Sequence, residues 1–270
     1  MPWVPEVSVG RSARLVGSVL CLLLLGVRVQ AADRPADTGS GTSTVVLELF
    51  TSQGCAGCPP ADRLLSRLGI GDRVISLAFH VDYWDDTGWR DPFAKSEWTE
   101  RQETYADAFH ARELYTPQMV INGRRQCVGS DEERVRRELA ALHRTPPQAQ
   151  VRVSVEPPSA DGGHRHLRIH AERDRRIEDR TILVMVAVAE SGLTTAVRRG
   201  ENAGRKLTND FVVRTLERAF TLAARSGLQA DGEATLTFGP GWEPRNLRAA
   251  VFLQDAKTRE IYGAAVQPLG

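Results

Sequence analysis

Residues 45–62 read Val45-Val46-Leu47-Glu48-Leu49-Phe50-Thr51-Ser52-Gln53-Gly54-Cys55-Ala56-Gly57-Cys58-Pro59-Pro60-Ala61-Asp62. Val45 to Phe50 is an apolar run interrupted only by Glu48, the pattern of a short buried strand. From Ala61 to Leu68 the apolar residues Leu64, Leu65 and Leu68 share one helical face. Between strand and helix stand two cysteines separated by two residues. Thiols so placed can close a small disulfide loop, and the free amides and dipole of a helix start favour a thiolate there. Cys55 is therefore the candidate nucleophile towards a substrate disulfide, and Cys58 the candidate resolving thiol. Pro59 and Pro60 lack amide hydrogens, which predicts a helix starting at one of them, with Cys55 in the loop one turn out.

Working outward, Val74 to Phe79 is a second buried strand, followed by a Trp-rich polar stretch from Asp82 to Asp91. Residues 96–112 read as a helix with Trp98, Tyr105 and Phe109 on one face. Gln118 to Ile121 is a third strand, and Asn122-Gly123 after it is a strong hairpin signal. Ser130 is the expected N-cap of a further helix, with Glu133 completing a capping box and Val135, Leu139 and Leu142 as its apolar stripe. Thr145-Pro146-Pro147-Gln148 ends this half. Beyond residue 150, Val151 to Val155 and Leu167 to His170 alternate with period two. Ile182 to Val188, Phe211 to Ala224, Glu233 to Phe238, Leu247 to Leu253 and Glu260 to Val266 follow at strand length. This succession predicts an antiparallel sandwich.

At the N-terminus, Arg11 and Arg14 precede an apolar run from Leu15 to Val27, and small residues follow at Ala31 and Ala32. That is the layout of a cleaved secretory signal over 1–31, too short to span comfortably a hydrocarbon core of roughly 30 Å. Residues 32–43 read as a polar leader. The signal predicts export, and three cysteines then remain: Cys55, Cys58 and Cys127. The 270 residues carry 35 basic and 34 acidic side chains, so no basic excess points to nucleic acid. Arg198 to Arg205 lacks the strand-to-helix setting of a phosphate loop, and no serine nucleophile-elbow spacing is present.

The runs VVLELFTSQGCAGCPPADRLL, ISLAFHVDYWDDTGWRDPFA, TERQ, YTPQMVINGR and VGSD, with the later GENAGRKLTNDFVVR, resemble an exported bacterial family of unknown function. The resemblance implies an α/β thioredoxin-like domain, placed over 44–145, and the strand succession adds an all-β antiparallel sandwich-like domain over 150–270. It implies a periplasmic location, and thiol–disulfide chemistry by the cysteine pair needs no bound cofactor. It also gives Thr116-Pro117 as the site of a cis-proline facing the disulfide, against the plainer reading of a trans proline opening a strand. For Glu48 it suggests a buried carboxylate that takes the resolving thiol's proton, against the plainer reading of a solvent-facing edge residue.

The catalytic set is thus Cys55, Cys58, Pro117, Thr116 and Glu48. The implied partners are a protein thiol or disulfide substrate and a redox partner protein, with no nucleic acid and no stable membrane span after signal cleavage. Two rivals use the same cysteines. Cys55, Cys58 and His80 could form a soft copper or zinc site, or Cys55–Cys58 could be a permanent structural bridge in a binding module. Cys127 reads as a small hydrophobe or as a regulatory thiol. Trp84, Trp89 and Trp98 read as a client groove or as packing.

Overall fold

The computed structural model describes residues 43–71, 73–159 and 163–270. The signal-like segment 1–31 and all of the leader except Ser43 lie outside the described residues. The elements, in order, are β1 (Val45–Thr51), α1 (Cys58–Leu68), β2 (Val74–His80), α2 (Ser96–Phe109), β3 (Gln118–Ile121), β4 (Arg125–Val128) and α3 (Glu132–His143). There follow β5 (Ala149–Val155), β6 (His164–Arg173), β7 (Ile182–Glu190), β8 (Leu193–Ala196), β9 (Lys206–Asn209), β10 (Val212–Leu222), β11 (Gln229–Thr237), β12 (Leu247–Asp255) and β13 (Ile261–Pro268).

Thirteen strands against three α-helices, among the described residues, overturn the expected α/β thioredoxin-like domain with an all-β antiparallel sandwich-like domain after it. Eight strands from both halves form one mixed sheet in the order β13-β12-β7-β10-β2-β1-β3-β4. β11, β6 and β5 make a second sheet, and β8 and β9 a two-stranded ribbon. The physical reason lies at β2. An apolar strand left at a sheet edge exposes unpaired backbone groups, a liability that folds cover. Here β10 covers it: Val212 pairs with Ala78 in parallel, and Ala78 N donates to Phe211 O at 2.8 Å.

β1 is buried along all seven residues, as expected of a central strand. It runs parallel to β2, through a crossover that contains α1, and antiparallel to β3. The period of two sends Val46, Glu48 and Phe50 to one face and Leu47, Leu49 and Thr51 to the other. On the first face a continuous core joins Val46, Phe50 and Phe79 to Ala187, Val213 and Phe252, with Trp98 and Tyr105 of α2 packed on it. On the second face, α1 and α3 cover the β1 end through Leu64, Leu65, Val135 and Leu139. The β11-β6-β5 sheet covers the β7 and β12 end through Leu167, Ile169, Val184 and Val251.

Local details follow their residues. Asn122 and Gly123 both have positive φ, 46° and 63°, as their two-residue hairpin between β3 and β4 demands. A Cβ on Gly123 would stand 1.9 Å from the carbonyl oxygen of Arg259, so only glycine fits there. α3 is capped by Asp131 rather than Ser130: the Asp131 side chain accepts from Arg134 N. Phe211 to Ala224 is a strand in the main, as β10.

Candidate functional site

α1 begins at Cys58, with Gly57 as N-cap and the prolines in its first turn, where missing amide hydrogens cost nothing. Cys55 therefore lies in the loop before the helix. Its Sγ is 3.9 Å from Thr116 O. A methyl group added at Gly57 would stand 3.8 Å from Pro117 Cδ and 4.0 Å from Cys55 Sγ. The Thr116–Pro117 peptide bond is cis. Thr116 is held in turn by Trp84, whose Nε1 donates to Thr116 Oγ1 at 2.8 Å. Cys55, Cys58, Thr116 and Pro117 thus meet in one place.

The two thiols are inequivalent. The hydrogen bond from the Cys58 side chain is the largest influence on Cys55; with Thr116 and the amides of Gly57 and Cys58 it outweighs burial and brings Cys55 down to about 7. Burial pushes Cys58 far up, and Cys55 and the charge of Asp62 push the same way. Cys55 is 3 % exposed and Cys58 fully buried, while the backbone turn at Ala56 and Gly57 between them is exposed.

A strap from the second half of the chain holds this loop. Asn202, fully buried, donates through Nδ2 to Gln53 O and to Cys55 O, both at 2.9 Å. Its neighbour Glu201 accepts from Ala56 N at 2.9 Å. Gln53 is a hub: its side chain reaches Thr195 and Asn209 of the β8–β9 ribbon and accepts from Trp89, and its N donates to Asp91. Residues 201 and 202 received no site role from the sequence, although they lie in the GENAGRKLTNDFVVR run. Their polar, glycine-flanked pattern was visible, but the pairing spans about half the chain.

Glu48 does not join the thiols. It lies on the opposite sheet face, fully buried, with Oε2 2.6 Å from Arg101 Nε and Oε1 2.5 Å from Tyr105 OH. Arg101 also stacks over Phe79, Tyr105 and Phe252. Glu48 is neither a solvent-facing edge residue nor a partner of Cys58; it ties α2 to β1.

The carboxylate near Cys58 is Asp62. Its Oδ1 accepts from Thr51 Oγ1 at 2.8 Å. Burial raises its carboxyl to about 6, against the opposing pull of His80 and the Thr51 hydrogen bond. Thr51 pairs with His80 across β1 and β2. His80 is fully buried and its Nδ1 lies 2.7 Å from Asp91 Oδ2. Burial alone would lower this imidazole, but the charge and hydrogen bond of Asp91 and the charge of Asp62 raise it. Burial would raise Asp91 too, yet His80 and the amides of Gln53 and Phe93 hold it low. A sequence signal for Asp62 existed: it lies four residues after Cys58, one helical turn along the same face.

The remaining candidates are structural. Cys127 is 6 % exposed and packs with Met119, Leu139 and other apolar residues; burial pushes its thiol up to about 11. Trp98 is core, edge-on to Phe79. Among the described residues, no group of three or more His, Cys, Asp or Glu is gathered closely enough to hold a metal ion, which leaves the Cys55, Cys58 and His80 site without geometric support. No described helix is long and apolar enough to cross a membrane.

Fold and site together define a β-rich protein built on one mixed sheet, with a close cysteine pair at the entry to its first helix. Residues 46–254 match the model of the family described as "Protein of unknown function (DUF1223)", and the chain belongs to that family. The chain is similar to the solved structure of protein AGR_C_4864 from Agrobacterium tumefaciens, at 28 % identity and a TM-score of 0.67, over 86 % of this chain and 96 % of that one. HBP35 of Porphyromonas gingivalis shares the fold, with a TM-score of 0.59 at 14 % identity over 86 % of this chain and 76 % of that one. No curated protein matches.

Proposed function

We propose that the protein is an exported thiol–disulfide oxidoreductase. The observation that carries this reading is the placing of a close thiol pair: Cys55 lies in the loop before α1, against Thr116 O and the exposed Ala56–Gly57 turn, and Cys58 is fully buried behind it, with Cys55 held low and Cys58 pushed up by these surroundings. A thiolate near neutral pKa is the best attacking group, and a buried second thiol resolves the mixed disulfide without competing for the substrate. Cys55 is the nucleophile and Cys58 the resolver. Thr116 and Pro117 offer backbone beside the sulfur, where a substrate chain docks. A visiting protein disulfide approaches over the exposed Ala56–Gly57 turn, beside the strap that carries Glu201 and Asn202. The redox partner that recharges the pair meets the same edge. Export rests on the signal-like pattern of residues 1–31.

The test is reduction of insulin disulfides by the wild type and by Cys55→Ser. Turnover that vanishes in the variant supports the reading; equal rates in both proteins end it. Measurement of the reduction potential separates a working pair from a permanent bridge, whose value lies below about −300 mV.

A further inference from the structure

The strap that carries Glu201 and Asn202 is the turn joining β8 to β9, and it is built as a fixed part of the cysteine site. Val197, at its base, is buried. Val197 N donates to Arg205 O at 2.9 Å, Gly204 N to Val197 O at 2.8 Å and Arg205 N to Asn202 O at 3.2 Å. Gly200 has a φ of 73°, and a Cβ there would stand 3.1 Å from Trp89 Cβ, so the strap lies close against the loop after β2. Arg205 Nη1 donates to Asn202 Oδ1 at 2.9 Å, while Nδ2 of the same amide holds Cys55 O. One side-chain amide therefore separates a guanidinium from the backbone of the candidate nucleophile.

Charge on this strap is one-sided. Over residues 197–206, VRRGENAGRK, the cations Arg198, Arg199, Arg205 and Lys206 stand against the single acid Glu201, in a chain whose totals nearly cancel at 35 basic to 34 acidic. All four cations are exposed. None of them forms an ion pair among the described residues, and the neutral Asn202 is the side-chain partner of Arg205. The Glu201 carboxylate is turned to the cysteine loop, where it accepts from Ala56 N. In the neighbouring loop Asp85 accepts from Asp91 N and lies 3.8 Å from Arg90, which leaves Asp86 as the exposed acid on that side. Basic charge thus prevails beside the Ala56–Gly57 turn, and a field of one sign at a site entrance selects what approaches it.

We propose that this strap is the docking surface for the disulfide substrate, and that the substrate is a protein segment rich in aspartate and glutamate around its own cysteine. The inference rests on the thiol–disulfide reading above and adds the substrate class to it. The segment lies over the exposed Ala56–Gly57 turn, with its acidic residues against Arg198, Arg199, Arg205 and Lys206. Ala56 N already holds one carboxylate, that of Glu201, so an acidic side chain is chemically at home on this turn. Basic segments meet like charge there and are turned away. Charges on an exposed rim act mainly on the rate of encounter, and salt screens them. The preference for acidic segments is therefore large at low salt and small at high salt.

The experiment uses the full chain with Cys21→Ala and Cys127→Ala, reduced and mixed with peptides whose one cysteine is joined by a disulfide to a coloured aromatic thiol. The peptides differ only in flanking that cysteine with glutamates, with lysines or with serines. Attack by Cys55 on the peptide sulfur breaks the disulfide and releases the coloured thiolate. Each rate is divided by that of the same peptide with free 2-mercaptoethanol, which removes the peptides' own reactivity. Expected for the parent protein is release from the glutamate peptide about tenfold faster than from the lysine peptide at about 0.02 M salt, narrowing to about twofold or less at about 0.5 M. Arg198→Glu combined with Arg199→Glu is expected to reverse the order; the parent's salt series decides alone if that variant fails to fold. Equal rates for the three peptides at low salt overturn the docking surface and leave the oxidoreductase reading intact. Colour from none of them ends the oxidoreductase reading, and binding of the glutamate peptide to Cys55→Ser then judges the surface: binding that salt weakens upholds it, and no binding overturns it. Binding to phosphatidylglycerol vesicles without binding to the glutamate peptide also overturns it, in favour of a membrane-facing rim.

Discussion

β1 carries two buried carboxylate environments on its opposite faces, and they do different things. On one face Glu48 meets Arg101 and Tyr105 in a close, fully partnered ion pair. On the other, Thr51 reaches Asp62, near an imidazole that Asp91 already holds. A carboxylate held by both a guanidinium and a phenol has its partners filled, and they make it a fastening between α2 and the sheet. A carboxylate buried with a hydroxyl and a shared charge is poised to exchange a proton. Position in the sequence does not separate the two cases; the partners do.

The strongest way to break this contrast is Glu48→Ala. Removing one member of a buried pair strands the other, and Arg101 would be left uncompensated, at a cost of about 3–5 kcal/mol. Urea unfolding should show that loss, while the rate of Cys55 alkylation in the folded protein stays as in the wild type. A variant as stable as the parent would make Glu48 something other than a fastening.

Asp62→Asn should act in the opposite direction. Its carboxyl is raised in the folded state from 3.8 to about 6, so its contribution to stability is fully present below the unfolded value and is lost as pH rises through the folded one. The wild type therefore carries, above about pH 6, the burden of an ionised buried acid, of order 2–3 kcal/mol. The variant should unfold at higher urea than the wild type at about pH 8, with the advantage shrinking towards about pH 4. His80, also raised, loses its contribution in the same sense as pH climbs. An advantage equal at both ends would mean that Asp62 is not the titrating group.

Asn202→Ala sharpens the comparison from the strap side. The carbonyls of Gln53 and Cys55 lose their donor, which costs about 1–3 kcal/mol. Cys55 should then alkylate faster than in the wild type, because the loop is no longer tied down. Unchanged alkylation would mean that the strap does not control access. The smallest effect is expected for Cys127→Ala, about 1 kcal/mol in stability, with insulin reduction unaffected.

Much of the local structure was legible in the chain. The β1 run, the helix that carries Leu64 and Leu65, the Asn122-Gly123 turn and the strands β5, β6, β7, β10, β11, β12 and β13 follow from period, turn residues and β-branched content, while the short β8 and β9 did not announce themselves. The cysteine pair was legible as a candidate because its chemistry resides in the residues themselves, and Thr116-Pro117 was a candidate through the family resemblance. Glu48 was misread because a lone carboxylate in an apolar strand reveals its burial but not its partner, and Arg101 lies 53 positions away. Asp62 was in plain view one turn beyond Cys58, yet a charged residue on a short helix looks like surface until the helix is docked. Asn202 sits 147 positions from the carbonyl of Cys55 that it holds, and no local pattern encodes such a pairing.

By itself, then, the sequence determined the elements and the presence of paired thiols, because backbone propensity, hydrophobic period and side-chain chemistry act over a few residues. Only the tertiary structure decided that both halves share one sheet, since the exposed edge of β2 gains its partner from β10, more than a hundred residues on. It likewise decided which carboxylate stands behind Cys58, because burial and charge pairing depend on what packs alongside, and that is a property of the folded whole.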